Sequence, residues 1–415
     1  MGDATLTTFA RDTDPETIGL DPSRLGRLER HLEGYIASGR LVGTLTAIAR
    51  GGRVGHLSAQ GRLDAARPVR ADAIWRIYSM TKPLTSVAAL QLCEEGRLSL
   101  TEPVATYLPA FADARVLRAT PGGHAVAEPA REPMRVWHLL THTSGLTYGT
   151  TGDETLDAGY ADVVQRPSGR EQGTLAEFCD RLGAVPLVSE PGAAWNYSFS
   201  TDVLGRVVEV VSGTSLERVF QERIFGPLGM TDTGYSVAPT ALERLAALYS
   251  ADAGSGRAVP TPELDAPRDA PRTFHGGGAG LVSTARDYLR LLEMLRAGGS
   301  LDGVRLLSPA TVRLMTQSHL PPGFDIPDYA GPTRLAQEFP GRGFGLGLAV
   351  LTDPVRARTI SSVGEYSWGG AAATEFWVDP ARDLTVAFFT QVLRSPYEHR
   401  LRRELRWLVY QALVD

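Results

Sequence analysis

The sequence predicts an α/β domain combined with an all-α lobe: an antiparallel sheet flanked by N- and C-terminal helices, with a helical lobe inserted between the two halves of the sheet. Three observations lead there. Strand-like patterning is confined to the two ends of the 415-residue chain, the stretch between them reads as helices separated by Gly-, Pro- and Asp-rich segments, and an amphipathic helix stands near each end. A chain of this length exceeds one ordinary hydrophobic core. The expected division is a discontinuous α/β domain over 1–75 and 282–415 and a helical domain over 76–281, with the active site in the cleft between them.

Asp21-Pro22 can start a helix, and Leu25, Leu28, Leu32, Tyr35 and Ile36 then share one face at helical spacing. Leu41–Ala49 is rich in apolar and β-branched residues, reaches Gly51-Gly52 and resumes as Val54–Ala59, which predicts a β-hairpin with a two-residue turn. From Thr85 to about Leu281 strands are hard to find, and the segments 121–133, 148–173 and 251–271 read as loops. Strand signals return after Gly343, as Leu346–Leu351, Ala371–Val378 and, past a turn at Asp379-Pro380, Leu384–Gln391. Leu401, Leu405, Leu408 and Ala412 mark a last amphipathic helix. No internal repeat is present.

Composition narrows the function. Apolar residues make up 43% and charged residues 21%, which excludes disorder as the main state. A net charge of −5 argues against nucleic acid or an anionic membrane as partner, so the expected ligand is small. No window approaches the roughly 18 apolar residues of a membrane span. Met1–Pro15 lacks the basic start and apolar stretch of a secretory signal. Cys93 and Cys179 have no metal-ligand spacing and read as small buried hydrophobes in a reducing compartment, so a cytoplasmic location is expected.

One count says more than these. Lys82 is the single lysine, and every other cationic residue among the 42 is arginine. Exposed cations are largely interchangeable, so a bias toward arginine accounts for the rest. Deprotonation separates the two side chains: arginine stays charged at any accessible pH, whereas lysine can be driven neutral by burial or a neighbouring charge. Lys82 is therefore a candidate base. It follows Ser79 by three residues in Tyr78-Ser79-Met80-Thr81-Lys82, just ahead of the apolar run Val87, Leu90, Leu92. Serine is a good helix N-cap, and residues i and i+3 share a helical face, which brings an amine within reach of the hydroxyl. A serine needs such a base to become a nucleophile. Pro83 opposes a regular first turn, since it disfavours the α conformation at Lys82 and crowds the Ser79 carbonyl.

Ser79-x-x-Lys82, Leu139-Leu140-Thr141-His142-Thr143-Ser144-Gly145-Leu146, Pro191-Gly192 ahead of Tyr197-Ser198, Gly276–Thr284 and Trp368-Gly369-Gly370 occur in this order. The order resembles that of serine β-lactamases and penicillin-binding-protein-like hydrolases, and most of all the family VIII carboxylesterases of the class C β-lactamase-like group. The resemblance runs from about Leu20 to the end of the chain. It implies a β-lactamase/transpeptidase-like fold, with Ser79 as acylated nucleophile, Lys82 as its base and Tyr197 as the third, proton-passing member. The implied oxyanion hole is the N–H of Ser79 with that of Ala371, on the strand continuing from Trp368-Gly369-Gly370. Tyr78, Phe199, Trp368, Gly369 and Gly370 are the implied substrate-binding residues, and no cofactor or metal is called for.

Two departures bear on substrate. Trp368 stands where the lactamase pattern has the lysine of Lys-Thr-Gly, and Phe199 where it has an asparagine two residues after the tyrosine. Both replace polar recognition by apolar surface, which favours neutral acyl esters. A β-lactamase or D-amino-acid peptidase on the same fold, and an inactive penicillin-binding-like protein, are the alternatives kept open, as is a homo-oligomer. His138 and His142 are spaced i, i+4, but the glutamate of His-Glu-x-x-His is missing, so a structural role near the cleft is expected. Gly-x-Ser-x-Gly is absent, and Gly276-Gly277-Gly278 lacks the Lys-Ser/Thr of a phosphate loop. The Pro-rich loop His319–Arg342 is assigned to the pocket wall from its position alone.

Overall fold

Apolar runs more than 300 residues apart in the chain pair directly in space (Ala47 faces Ala387), and that pairing organises the molecule. The computed structural model describes residues 11–119, 125–152, 154–164, 173–262, 264, 268–331 and 333–414. Helix α1 spans Pro22–Ala37, and its first turn is capped by Asp21, whose carboxylate accepts from the N–H groups of Ser23 and Arg24. The hairpin follows as β1 (Gly43–Arg50) and β2 (Arg53–Gly61). The C-terminal part supplies β3 (Arg342–Phe344), β4 (Ala349–Leu351), β5 (Tyr366–Gly369), β6 (Glu375–Asp379) and β7 (Leu384–Phe389). Their order in the sheet is β3-β4-β5-β6-β7-β1-β2, antiparallel throughout.

Both faces of this sheet are covered, so its central strands are apolar on both sides instead of alternating with polar residues. On one face Ile48, Trp377, Val386 and Phe388 pack with Leu25, Leu28 and Leu32 of α1 and with Leu401, Leu405 and Val409 of the last helix, Glu398–Tyr410. On the other, Ala47, Phe376, Ala387 and Phe389 join a larger core. That core includes Tyr288, Leu291 and Leu292 of the helix Ala285–Arg296 and most of α2 (Lys82–Glu94). Helix α2 is buried from Lys82 to Leu92, as its apolar character all round requires. The two ends of the chain meet: Asp21 N–H donates to Ala412 O at 2.8 Å, and Leu20 bridges to Leu413.

The middle of the chain differs from expectation in three places. A hairpin joins Arg115–Ala119 to Ala125–Pro129; these short strands mix charged and apolar residues, which hides them from a periodicity reading. The predicted loop 148–173 holds the helix Glu154–Val164, and 251–271 holds the strand Ala258–Pro260, paired with Tyr249–Ala251. Residues 121–124, 153, 165–172, 263 and 265–267 of those loops lie outside the described residues, as do residue 120 and Met1–Ala10. Farther along, Leu346–Leu351 is a strand only from Ala349, because Gly345 N–H bonds Leu348 O and turns the chain.

A buried ion network ties the last helix to the sheet. Glu365, fully buried, accepts from Arg342 Nη1 at 2.9 Å and Arg406 Nη2 at 3.1 Å, and Arg406 Nη1 reaches Glu375 at 2.6 Å. Burial opposes ionisation of Glu365, but Arg406 and Arg342 outweigh it and hold the carboxyl at about 2. Removing one partner strands a buried charge, so Arg406→Leu should cost about 3–5 kcal/mol of stability in a denaturant titration. Asp287 shows the opposite balance: burial pushes its carboxyl up to about 6, against hydrogen bonds from Asp232 N–H and the Thr233 hydroxyl. With the folded value above the unfolded one, the contribution of Asp287 is present below about pH 4 and lost as pH rises through about 6. Relative to the parent, Asp287→Asn should therefore gain about 2–3 kcal/mol between pH 4 and pH 7, read from paired thermal melts.

Candidate active site

The segment Tyr78–Thr81 is a single 3₁₀ turn that runs directly into α2. Ser79 therefore lies inside the turn instead of capping it, and Ile77 occupies the cap position. Lys82 adopts αR geometry (φ −56°, ψ −45°) despite Pro83, and its N–H bonds the Ser79 carbonyl in the tighter 3₁₀ pattern. Side chains three apart eclipse in a 3₁₀ turn. The consequence is a Lys82 Nζ to Ser79 Oγ distance of 3.1 Å. Lys82 is 0% exposed and Ser79 is half-buried, so the amine is withdrawn from water while the serine residue keeps part of its surface accessible.

The same amine donates to the carbonyl of Gly278 at 2.9 Å. That carbonyl is held by Asp202, whose Oδ1 accepts from Gly278 N–H at 3.0 Å, and Thr85 Oγ1 donates to the neighbouring Gly277 carbonyl at 2.7 Å. Helix α3 (Ser200–Ser212) carries Asp202 and touches this glycine segment backbone to backbone: a Cβ on Gly277 would stand 2.2 Å from Thr201 O. Only glycine permits that approach.

Tyr197 sits just before α3, with its ring 4.6 Å from Lys82 Nζ. Its hydroxyl accepts from Trp368 Nε1 at 3.2 Å. Tyr148, which sequence reasoning missed, stands edge-on to Tyr197 (5.2 Å between centroids), with its ring 5.7 Å from Lys82 Nζ. Burial, then the nearby Tyr197 and Asp202, push the Tyr148 phenol well above its ordinary value, so it stays a neutral hydrogen-bonding group. No spacing rule singles out Tyr148; its nearness to the Thr141–Gly145 motif is the one clue.

His142 lies under the Tyr197 ring at 4.9 Å and is fully buried, with Nδ1 3.2 Å from Ser198 Oγ. Ser198, Ser200 and Ser144 continue that contact as a chain of 2.7 Å hydroxyl bonds. Burial, reinforced by the Lys82 charge, drives the His142 imidazole well below its ordinary value, so it is a neutral support for the tyrosine segment. His138 accepts Arg135 N–H on Nδ1 and caps its own helix, Val136–Leu140. Among the described residues no cluster of three or more metal-binding side chains occurs.

Trp368 is buried, stacked on Phe339 (5.2 Å, 14°) and edge-on to Phe344. Phe199 packs against Tyr148 and Phe178 instead of standing with Trp368. Strand β5 does not run on to Ala371 as expected. It ends at Gly369, because Gly370 N–H bonds Thr374 O and closes a turn in which Ala371 is exposed. That turn lies against the residues leading into the Ser79 turn: a Cβ on Gly370 would stand 2.5 Å from Ile77 O, two residues before Ser79.

A family model described as Beta-lactamase matches residues 28–411. Among similar proteins, Protein Rv1367c of Mycobacterium tuberculosis is 37% identical over 79% of this chain and 80% of its own length. Esterase EstB of Burkholderia gladioli is 34% identical over 97% of this chain and 99% of its own length. Among solved structures, EstCE1, a hydrolase with promiscuous acyltransferase activity, superposes with a TM-score of 0.77 at 29% identity, covering 94% of this chain and 99% of that one. The site chemistry has a direct test. A fluorophosphonate probe should add its mass to the Ser79 peptide, Ser79→Ala should abolish labelling, and Lys82→Met should slow it by about 10²-fold or more.

Proposed function

The chain belongs to the beta-lactamase family, and we propose that it is a serine hydrolase cleaving small carboxylic esters through an acyl-enzyme. The observation that carries this reading is the buried amine of Lys82, 3.1 Å from the hydroxyl of the half-buried Ser79. A neutral Lys82 can donate to Gly278 O and still offer its lone pair to the Ser79 proton. The released alkoxide attacks the ester carbonyl, and the Ser79 and Ala371 N–H groups are proposed to take the oxyanion, each such donor being worth about 10²–10³ in rate. Tyr197 then gives a proton to the departing alcohol, and water reverses the sequence at the acyl-enzyme. Trp368 bonds to the Tyr197 hydroxyl and Tyr148 packs edge-on against its ring, which together fix the direction of the side chain.

The walls favour esters over β-lactams. Trp368, stacked between aromatic neighbours, offers no cation for a substrate carboxylate at the strand position, and Phe199 offers no amide-binding group. The similarity to Esterase EstB supports the same choice. A short-chain nitrophenyl ester should be turned over faster than a chromogenic cephalosporin; the reverse ranking would make amide chemistry the primary activity. Lys82→Arg should keep the fold, seen by circular dichroism, and lose about 10²–10⁴-fold in kcat, because a guanidinium cannot give up its proton.

A further inference from the structure

The turn that links β5 to β6, Gly370–Thr374, is closed by bonds of its own: Gly370 N–H donates to Thr374 O at 2.9 Å, and Ala373 N–H to Gly370 O at 3.0 Å. Ala373 takes a φ of 64°, a conformation that a residue with a side chain keeps only where its surroundings over-determine it. One of those surroundings is Arg402, half-buried on the last helix, Glu398–Tyr410, and 32 residues beyond Gly370. Its Nη2 donates to Gly370 O at 3.3 Å and to Thr374 O at 3.2 Å, so a single guanidinium nitrogen joins the carbonyls at both ends of the turn. Glu398, one helical turn earlier, pairs with the same nitrogen at 2.6 Å. The approach leaves no room for a side chain at the end of β5, since a Cβ on Gly369 would stand 2.3 Å from Arg402 Nη2.

These contacts reach Ala371 through covalent geometry. The Gly370 carbonyl and the Ala371 N–H belong to one peptide unit, which is planar and trans, so the two bonds point in opposite directions. Holding Gly370 O on Arg402 therefore sends Ala371 N–H the other way. That N–H has no hydrogen-bond partner among the described residues. Ala371 is exposed, while Ala372 and Ala373 after it are buried. A cationic donor on the carbonyl also polarises the whole peptide unit, and hydrogen bonds linked through one such unit strengthen one another.

We propose that Arg402 is a positioning residue for the reaction: by holding the Gly370 carbonyl it aims and polarises the Ala371 N–H that receives the oxyanion. The proposal rests on the serine-esterase reading above, in which the Ser79 and Ala371 N–H groups share that charge. Arg402 itself touches no reacting atom. Its effect falls where the substrate oxygen gains charge, in the transition state, and leaves the binding of the uncharged ester nearly unchanged.

The test compares 4-nitrophenyl butyrate with its thiono counterpart, in which sulfur replaces the carbonyl oxygen. Sulfur is the weaker hydrogen-bond acceptor, so it gains less from an aimed N–H, and the parent protein should prefer the oxygen ester. In Arg402→Met, kcat for the oxygen ester should fall by about 10-fold or more with KM within about twofold, and the oxygen-to-sulfur ratio in kcat/KM should fall by about 10-fold. Arg402→Lys should recover part of both. If circular dichroism shows that Arg402→Met does not fold, Arg402→Lys should still lower the ratio by about 3-fold, because an ammonium lacks the planar fork that spans two carbonyls. A merely structural role would slow both esters equally, so a ratio unmoved in the folded variants overturns the proposal and leaves the esterase reading intact. Equal turnover of the two esters by the parent removes Ala371 from the oxyanion hole, and the proposal with it. Absence of turnover on the oxygen ester, with no fluorophosphonate on Ser79, overturns both readings.

Discussion

The geometry of the site depends on one short contact, that between the Lys82 amine and the Ser79 hydroxyl, and on the tight turn that makes it. In an α-helical first turn the two side chains would be staggered around the axis; in the 3₁₀ turn they stand one above the other. Pro83 belongs to this arrangement. It removes a backbone donor at the start of α2, where none is needed, and still accommodates the αR conformation of Lys82. Because α2 is buried along most of its length, the turn cannot swing outward to let water reach the amine.

Around that contact the protein arranges supports by backbone approach more than by side-chain charge. The Gly278 carbonyl that receives the Lys82 amine is positioned by Asp202 and by direct backbone contact of Gly277 with α3. The Gly370 turn is pressed against Ile77 in the same way. Tyr197 stands where a turn, a loop and a strand meet: His142 beneath it, Tyr148 beside it and the Trp368 indole on its hydroxyl. The two aromatic substitutions that distinguish this chain from the lactamase pattern act on different walls. Trp368 belongs to the Tyr197 side, and Phe199 to the side of Tyr78 and Tyr148.

Much of this was legible from residues alone. The isolated lysine, its spacing from Ser79, the terminal helices and the hairpin at Gly51-Gly52 each carry a local signal. The sheet reads correctly because its apolar strands are interrupted by turn residues. The missed hairpin over Arg115–Pro129 is short and mixes charged with apolar residues, so no clear period marks it. Tyr148 and the Gly278 carbonyl were invisible for another reason: one is an ordinary aromatic and the other a backbone atom, and each matters only through where the fold puts it. The turn at Ala371 escaped because apolar residues continue through Ala372 and Ala373, both buried, with no polar residue to mark the strand's end.

The meeting of the two chain ends has a consequence for biosynthesis. Strand β1 leaves the ribosome more than 330 residues before its neighbour β7, and α1 cannot complete the burial of its apolar stripe until the helix Glu398–Tyr410 arrives. No nascent fragment lacking residues 384–389 can close the central sheet. The polypeptide must therefore hold these hydrophobic segments in an incomplete state while the intervening residues are made, and termination before residue 384 releases a chain with an exposed β1 edge, a template for aggregation.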